Sequence, residues 1–394
     1  MLNLLIGSRV QVDGGDYILT QEGVAGCALY GPYERLAPGN YTVEFSIAAS
    51  GGFVPHRDLV CAIVDVVAEQ GKIEAAFDFV FASQLAAGEA KIVLPFTVHE
   101  ASDSFEYRVH VNGSVPLLVA SNPTIARVNG VLPPVNVREE SELLTLHRPM
   151  LKYLYDHNVD IEILSGSLVL SVNGVFFNAR CYDDVNFVDE LFFKSAYNVI
   201  SAENTCIIDV GMNIGLASLI FAAKPQVREV HAFEPFPSTY ARGLANLSLN
   251  PALASKIKTN NFGLSDKNED TTFLVHETSD SGARSTRDQE GGTPTNLSVR
   301  DAATVLGPII ASARSRGLQV IAKIDCEGSE FPVFQSLAKA GLFSEITALM
   351  VEWHRVFEGR TQRELIQPLT DAGFISFDLT PPHGNGFFYA VKAV

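Results

Sequence analysis

CIIDVGMNIG, residues 206–215, decides the fold. The apolar run Cys206-Ile207-Ile208 ends in Asp209, and two glycines follow, Gly211 and Gly215. Residues 216–223 then read Leu-Ala-Ser-Leu-Ile-Phe-Ala-Ala, a helix-forming run. An unbroken apolar strand, a glycine turn and a helix are the parts of a buried parallel strand with its crossover. Glycine lets the backbone turn sharply and lets a ligand approach it closely. The spacing D-x-G-x-x-x-G differs from the dinucleotide pattern G-x-G-x-x-G, so a pyrophosphate-binding turn is the weaker reading. A small bound cofactor and a merely tight turn in a buried sheet are the two alternatives.

Downstream, the pattern alternates. Strands are predicted at 206–210, 228–233, 257–262, 319–325 and 346–352, with helices at 214–224, 238–249, 330–340 and 361–372. Two more strands, 374–379 and 386–392, close the chain. Such alternation implies a parallel sheet covered on both faces, here with an antiparallel edge. A polar stretch, residues 276–300, interrupts it and reads as a long loop containing Arg284 and Arg287.

Upstream, residues 1–128 read as all β. Alternating runs at 41–47, 59–67, 72–81, 91–98 and 105–111 are separated by turn signals such as Gly51-Gly52 and Asn112-Gly113. That spacing predicts an all-β sandwich or jelly roll. Residues 129–142, with Pro133-Pro134, read as a linker. A helix over 143–157, broken near Pro149, a hairpin around Asn173-Gly174 and a helical stretch at 187–199 follow. The organisation expected is a β-sandwich at 1–130, a linker and helix at 131–160, and an α/β domain at 161–394.

The bulk numbers narrow the classes. At ~100–200 residues per domain, 394 residues fit two or three domains. A hydrophobic content of 47% with 19% charged residues fits a well-buried globular protein. A net charge of −16 argues against a general nucleic-acid binder and against docking on an anionic membrane. Five scattered cysteines without a C-x-x-C pair point to reduced thiols in a cytoplasm. The stretch MLNLLIGSRV lacks a basic leader, so no signal peptide is expected, and no apolar run is long enough to span a bilayer.

In open α/β sheets ligands bind beyond the carboxyl ends of the strands. The second strand ends at Glu234, where an acid can hold the hydroxyls of a ribose. The fourth ends in Lys323-Ile324-Asp325-Cys326-Glu327-Gly328-Ser329-Glu330, and the fifth in Glu352-Trp353-His354. Acids packed so densely after an apolar strand need a counter-ion, donors or a shared proton. The plainer reading of Glu327 and Glu330 is helix capping; Asp325, which ends the strand, fits that reading less well.

These motifs resemble the FkbM-type methyltransferases, a branch of the S-adenosylmethionine-dependent class. The resemblance rests on IIDVGMNIG, HAFEPFPSTY with Asn250 following, NFGLSD, SGARST, KIDCEGSE and MVEWH, and covers residues 206–394. Cys326 stands where a small apolar residue is common, and a thiol serves as one. The resemblance implies a Rossmann-like, seven-stranded class I methyltransferase sheet and methyl transfer to an oxygen, often of a sugar or polyketide. It implies that Asp209, Gly211 and Gly215 cradle the methionine part of S-adenosyl-L-methionine, that Asn213 also binds the cofactor, that Glu234 binds its ribose, and that Phe262 and Gly263 border its adenine. An alcohol attacks poorly until its proton leaves, so a general base is needed; Asp325, Glu327 and His354 are the catalytic candidates. Asp325 touching the cofactor, and His354 as an ordinary satisfied histidine, are the competing readings. Nothing in the spacing of Asp325, Glu327, Glu352 and His354 calls for a metal, and none is assigned. The resemblance puts the 279–287 loop over the site, where it would gate the substrate or contact an anion; a plain solvated loop is the alternative.

Residues from Tyr30-Gly31-Pro32-Tyr33 to Phe45 loosely resemble the start of β-sandwich modules attached to bacterial glycan-modifying enzymes. Sugar-binding modules stack aromatic faces on sugar rings, a role open to Tyr30, Tyr33 and Phe53, although core packing is the commoner use of an aromatic. The expected activity is therefore O-methylation of a sugar or glycan-like hydroxyl. The β domain would hold the acceptor, a second copy or a partner enzyme of glycan synthesis. The rivals are a polyketide, lipid or protein acceptor, and a non-enzymatic glycan-binding scaffold.

Overall fold

The computed structural model describes residues 2–52, 57–100, 102–134, 142–194, 197–198, 201, 203–275, 293–355, 359–381 and 385–392. The chain divides into two compact units, Met1–Leu170 and Ser171–Val394.

The first unit is built on two antiparallel sheets. One is centred on Gly39–Ala49, which pairs with Ala90–Val98, Leu117–Ala120 and Thr124–Val128. The other is centred on Asp58–Ala68, flanked by Ile73–Phe81 and Ser102–Val111. Val43, Phe45 and Ile47 from the first sheet share one apolar core with Ala62, Val64 and Val66 from the second, the arrangement of a sandwich. The predicted helix over 143–157 is two, Glu142–Leu146 and Arg148–Asp156, interrupted beside Pro149. The second of these is fastened to the sheet. Arg148 pairs with the buried Asp78 at 2.8 Å, and its guanidinium lies over the rings of Phe77 and Phe79. Lys152 reaches Glu74 at 3.1 Å and Asp65 at 3.9 Å. Asp160–Leu164 follows and pairs with Asp58–Ala68. Of the aromatics considered for sugar stacking, Tyr33 is exposed, Tyr30 is half-buried and Phe53 lies outside the described residues.

The second unit holds a seven-stranded sheet, whose strands are β1 Thr205–Val210, β2 Val227–Phe233, β3 Ile257–Asn260, β4 Gln319–Ile324, β5 Ala348–Trp353, β6 Phe374–Asp378 and β7 Gly386–Lys392. Their spatial order is β3-β2-β1-β4-β5-β7-β6, parallel except for β7. That is the class I methyltransferase sheet expected from the sequence. The main helices are α1 Leu216–Ala223, α2 Pro237–Ser248, α3 Ala302–Ser315, α4 Glu330–Lys339 and α5 Arg363–Asp371. Among the described residues no helix is long and apolar enough to cross a membrane.

Several elements differ from the sequence reading, three of them in long stretches of the second unit. α3 is absent from it because Gly307-Pro308 interrupts the helical pattern; Asp301 nevertheless caps α3, accepting from Thr304 N at 2.8 Å. Residues 293–301 form a strand rather than the end of a polar loop, because Glu269–Val275 supplies an antiparallel partner. Part of the predicted helix at 187–199 is a π-type turn over Asp189–Phe193. The remainder of the polar loop, with Arg284 and Arg287, lies outside the described residues.

Candidate functional site

Register builds the site. In the β1–β4 ladder Asp209 lies opposite Lys323, and Val210 opposite Ile324, so both chains leave the sheet together. Asp325 N then bonds Val210 O at 3.0 Å. Gly211 must therefore turn with almost no room. Its φ is +85°, and a Cβ there would lie 1.7 Å from the Asp325 carbonyl oxygen. The first glycine of the motif is thus required by strand packing as well as by any ligand. Gly211 N and Met212 N both donate to Phe233 O, tying the turn to the end of β2. Gly215, at φ +83°, starts α1 against Leu247 and Gly243.

Lys323 is the counter-ion that the acids need. Its ammonium is buried, 3.3 Å from both Asp209 Oδ1 and Asp325 Oδ2, and it donates to Gly211 O. Burial works against its charge, but Asp325 and Asp209 outweigh that and hold it protonated. Asp209 is raised by burial, opposed by Lys323 and by the Ser218 hydroxyl at 2.5 Å. Glu234 folds the turn from the other side: Oε2 accepts from Asn213 N at 2.9 Å and Oε1 from Phe236 N at 3.0 Å. Burial pushes Glu234 up to about 7 against those two donors. Asn261 Nδ2 donates to Glu234 O at 2.8 Å, which brings the end of β3 alongside. There Phe262 lies half-buried against Phe233, ring centres 5.6 Å apart, and Gly263 packs under Pro235 and Val299.

The structure thus gathers Asp209, Gly211, Asn213, Gly215 and Glu234 in one turn, with Phe262 and Gly263 on the adjacent strand end. A buried acid with unused lone pairs suits ribose hydroxyls, and an acid-rimmed turn suits the positive end of S-adenosylmethionine. On that donor set the residues fit the cofactor.

Two asparagines, Asn246 and Asn250, brace the turn. Asn246 Nδ2 donates to Ile214 O at 2.9 Å, while its Oδ1 accepts from Asn178 N. Asn250 Oδ1 accepts from Phe176 N at 2.9 Å, and its Nδ2 donates to Phe176 O. Their amides thus pair with strand Val175–Ala179 as a neighbouring strand would. Asn250→Leu strips partners from buried backbone groups and is expected to cost about 1–3 kcal/mol, read as a lower urea midpoint.

The catalytic candidates stand at the ends of β4 and β5. His354 is buried, with Nδ1 2.9 Å from Glu330 Oε1, Nε2 3.4 Å from Glu327 Oε2 and 3.9 Å from Glu352 Oε1. Burial opposes its charge, but the bond to Glu330 and the charges of Glu330, Glu327 and Asp325 push it up to about 9. At that value the ring carries its proton at neutral pH, where it is drawn to the surrounding acids. Its folded value lies above the unfolded one of ~6.5. The stability it contributes is complete below that value and is lost as pH rises through about 9. The gap in urea midpoint between wild type and His354→Gln is expected to narrow across that window.

Glu327 is half exposed at φ +51°, and Asp325 holds the Tyr197 hydroxyl at 2.9 Å. Tyr197 was not foreseen: it lies in the stretch read as helix, and no motif marks it. Glu330 is a structural acid, its Oε1 also accepting from Cys326 N and Gly328 N.

Among the described residues, Cys206, Glu229 and His231 bring metal-capable atoms within 4.8 Å of one another. They lie within β1 and β2, away from the strand ends. Glu229 already binds Arg316 and Lys258, each with a contact at 3.2 Å, and these hold its carboxyl at about 2 despite burial. Burial pushes the Cys206 thiol up to about 12. A metal ion there would meet two cations and a protonated thiol, so the group reads as an ion-pair network.

Residues 209–376 match the family described as Methyltransferase FkbM domain. A curated relative, the AMB antimetabolite synthetase AmbE of Pseudomonas aeruginosa, is 30% identical over 118 residues, 30% of this chain. The chain spans only 5% of that protein's length. Among solved structures, methyltransferase FkbM from Methylobacillus flagellatus is 18% identical, covering 51% of this chain and 47% of that one at a TM-score of 0.33. A SAM-dependent methyltransferase from Agrobacterium tumefaciens is 11% identical, covering 57% and 70% at 0.31. Both TM-scores are low, and the fold rests on the strand order instead.

Proposed function

Residues 209–376 being an FkbM methyltransferase domain, with S-adenosylmethionine as cofactor, we propose that the protein methylates a hydroxyl of a sugar or glycan-like acceptor in the cytoplasm. The observation that carries this reading is the acid wall of Asp325, Glu327 and Glu352 at the ends of β4 and β5, beside the glycine turn. Carboxylates accept hydrogen bonds and so suit an acceptor rich in hydroxyl donors. Lys323 is committed to Asp209 and Asp325, which disfavours an anionic acceptor group at that point.

When bound, S-adenosylmethionine supplies a methyl group on a positively charged sulfur. The chain's part is to hold the cofactor through Asp209, Asn213 and Glu234, with Gly211 and Gly215 shaping the turn, and to align the attacking oxygen with the methyl carbon. Asp325 and Glu327 remain candidates to receive the acceptor's proton, with His354 as the charged group that orients Glu327. The first unit would hold the acceptor or a partner enzyme. The test is incubation with S-adenosylmethionine and four panels: p-nitrophenyl glycosides, hydroxylated fatty acids, polyketide-like lactones and serine-rich peptides. Mass gain by a methyl group on glycosides is expected; gain confined to the other panels overturns the sugar reading.

A further inference from the structure

Tyr197 brings two carboxylates to one hydroxyl. Its oxygen lies 2.9 Å from Asp325 Oδ2 and 3.3 Å from Glu352 Oε2. A phenol has one proton to give, so it satisfies one acid at a time. The acids are not equivalent. Asp325 has the buried Lys323 ammonium at 3.3 Å. Among the described residues Glu352 forms its ion pair with His354 Nε2 at 3.9 Å, and that ring is already bonded to Glu330 and drawn to Glu327. The Glu352 side chain is also the more open, 36% exposed against 24% for Asp325. Tyr197 is itself held in place, its ring 5.7 Å from Phe387, the register partner of Glu352, and 5.3 Å from the Lys323 ammonium.

We propose that Glu352 is the general base that takes the acceptor's proton, and that Tyr197 is the positioning residue that aims it while Asp325 stays paired with Lys323. This rests on the hydroxyl-methylation reading above. In the step, the acceptor oxygen forms its bond to the methyl carbon as its O–H proton passes to a Glu352 carboxylate oxygen. The sulfur keeps the electron pair of the bond it loses, leaving neutral S-adenosylhomocysteine, and Glu352 later returns its proton to water. The groups facing Glu352 are Lys323, Asp325 and Glu327 from β4 and its following turn, His354 from the end of β5, and Tyr197. Burial first, then the charge of Asp325, pushes Glu352 up to about 7, where a carboxylate accepts a proton most usefully at neutral pH.

The experiment is 13C NMR of protein labelled at the glutamate side-chain carboxyl, with Glu352→Gln identifying the resonance and Tyr197→Phe as the second variant. Glu352 is expected to titrate near neutrality and to move to higher pH in Tyr197→Phe, which lacks the donor that favours the carboxylate. Titration together with ordinary glutamates overturns the proposal, whether or not an acceptor is known. Using a p-nitrophenyl glycoside as probe, Glu352→Gln is expected to lose about 100-fold or more in kcat, with S-adenosylmethionine affinity retained. Undiminished kcat in that variant overturns the proposal. A wild type that binds the cofactor but methylates no hydroxyl in any panel overturns the reading beneath it, while the titration still decides whether Glu352 is poised as a base.

Discussion

Gly211→Ala is expected to lose cofactor binding and to melt the C-terminal unit far below wild type. Two costs combine. The residue's φ of +85° is strained for any side chain by about 1–2 kcal/mol. The added Cβ would also lie 1.7 Å from Asp325 O and 2.8 Å from its carbonyl carbon. Both are backbone atoms, so no rotamer change relieves the clash, and β1 must part from β4 where their ladder ends. A total of about 4 kcal/mol or more is expected, among the largest single-substitution effects. Gly215→Ala, which meets the Leu247 side chain at 3.1 Å, should cost clearly less. Thermal unfolding followed by circular dichroism measures both; a Gly211→Ala melting temperature equal to wild type contradicts the packing account.

Lys323→Met is the second large effect. It leaves Asp209 and Asp325 without their shared cation, at a site where Lys323 and Asp209 are almost wholly buried. Breaking a buried pair in this way costs about 3–5 kcal/mol. The sign of the pH dependence is fixed. In the variant the buried Asp209, freed of the cation that opposes its burial, binds a proton more readily folded than unfolded, so the deficit is smallest in acid and grows as pH rises through its folded value. Urea unfolding across that range should show this, and Asp209→Asn added to Lys323→Met should recover part of the loss. A deficit independent of pH contradicts the role given to Lys323.

Much of this could be read in the sequence, and the exceptions share a cause. Cys206-Ile207-Ile208 and Val320-Ile321-Ala322 are apolar because their strands are covered on both faces, so the parallel sheet was legible. Asp209, Glu234 and Asp325 stood out because acids rarely end buried strands without work to do. Tyr197 did not, because its role depends on a chain segment crossing to the ends of β4 and β5, and no local spacing records that. Strand 293–301 was hidden in a polar composition that only its partner Glu269–Val275 makes a strand. The glycine turn allowed a bound cofactor or a merely tight turn, and the Asp325 carbonyl shows that strand packing by itself already requires Gly211. Lys323 was visible in KIDCEGSE, but only the β1–β4 register shows which acids it neutralises.

The turn joining Asp209, Asn213 and Glu234 is expected to hold S-adenosylmethionine. Calorimetric titration of the full chain, beside Glu234→Gln, measures this. The variant keeps the side chain's shape but sets an amide donor against backbone N–H groups that the carboxylate now accepts. Saturable one-to-one binding is predicted for wild type. Loss of the carboxylate's bonds to the ribose hydroxyls, about 3 kcal/mol together, weakens the variant about 100-fold. A folded wild type that gives no saturable heat, or a Glu234→Gln variant that binds as tightly as wild type, contradicts the account.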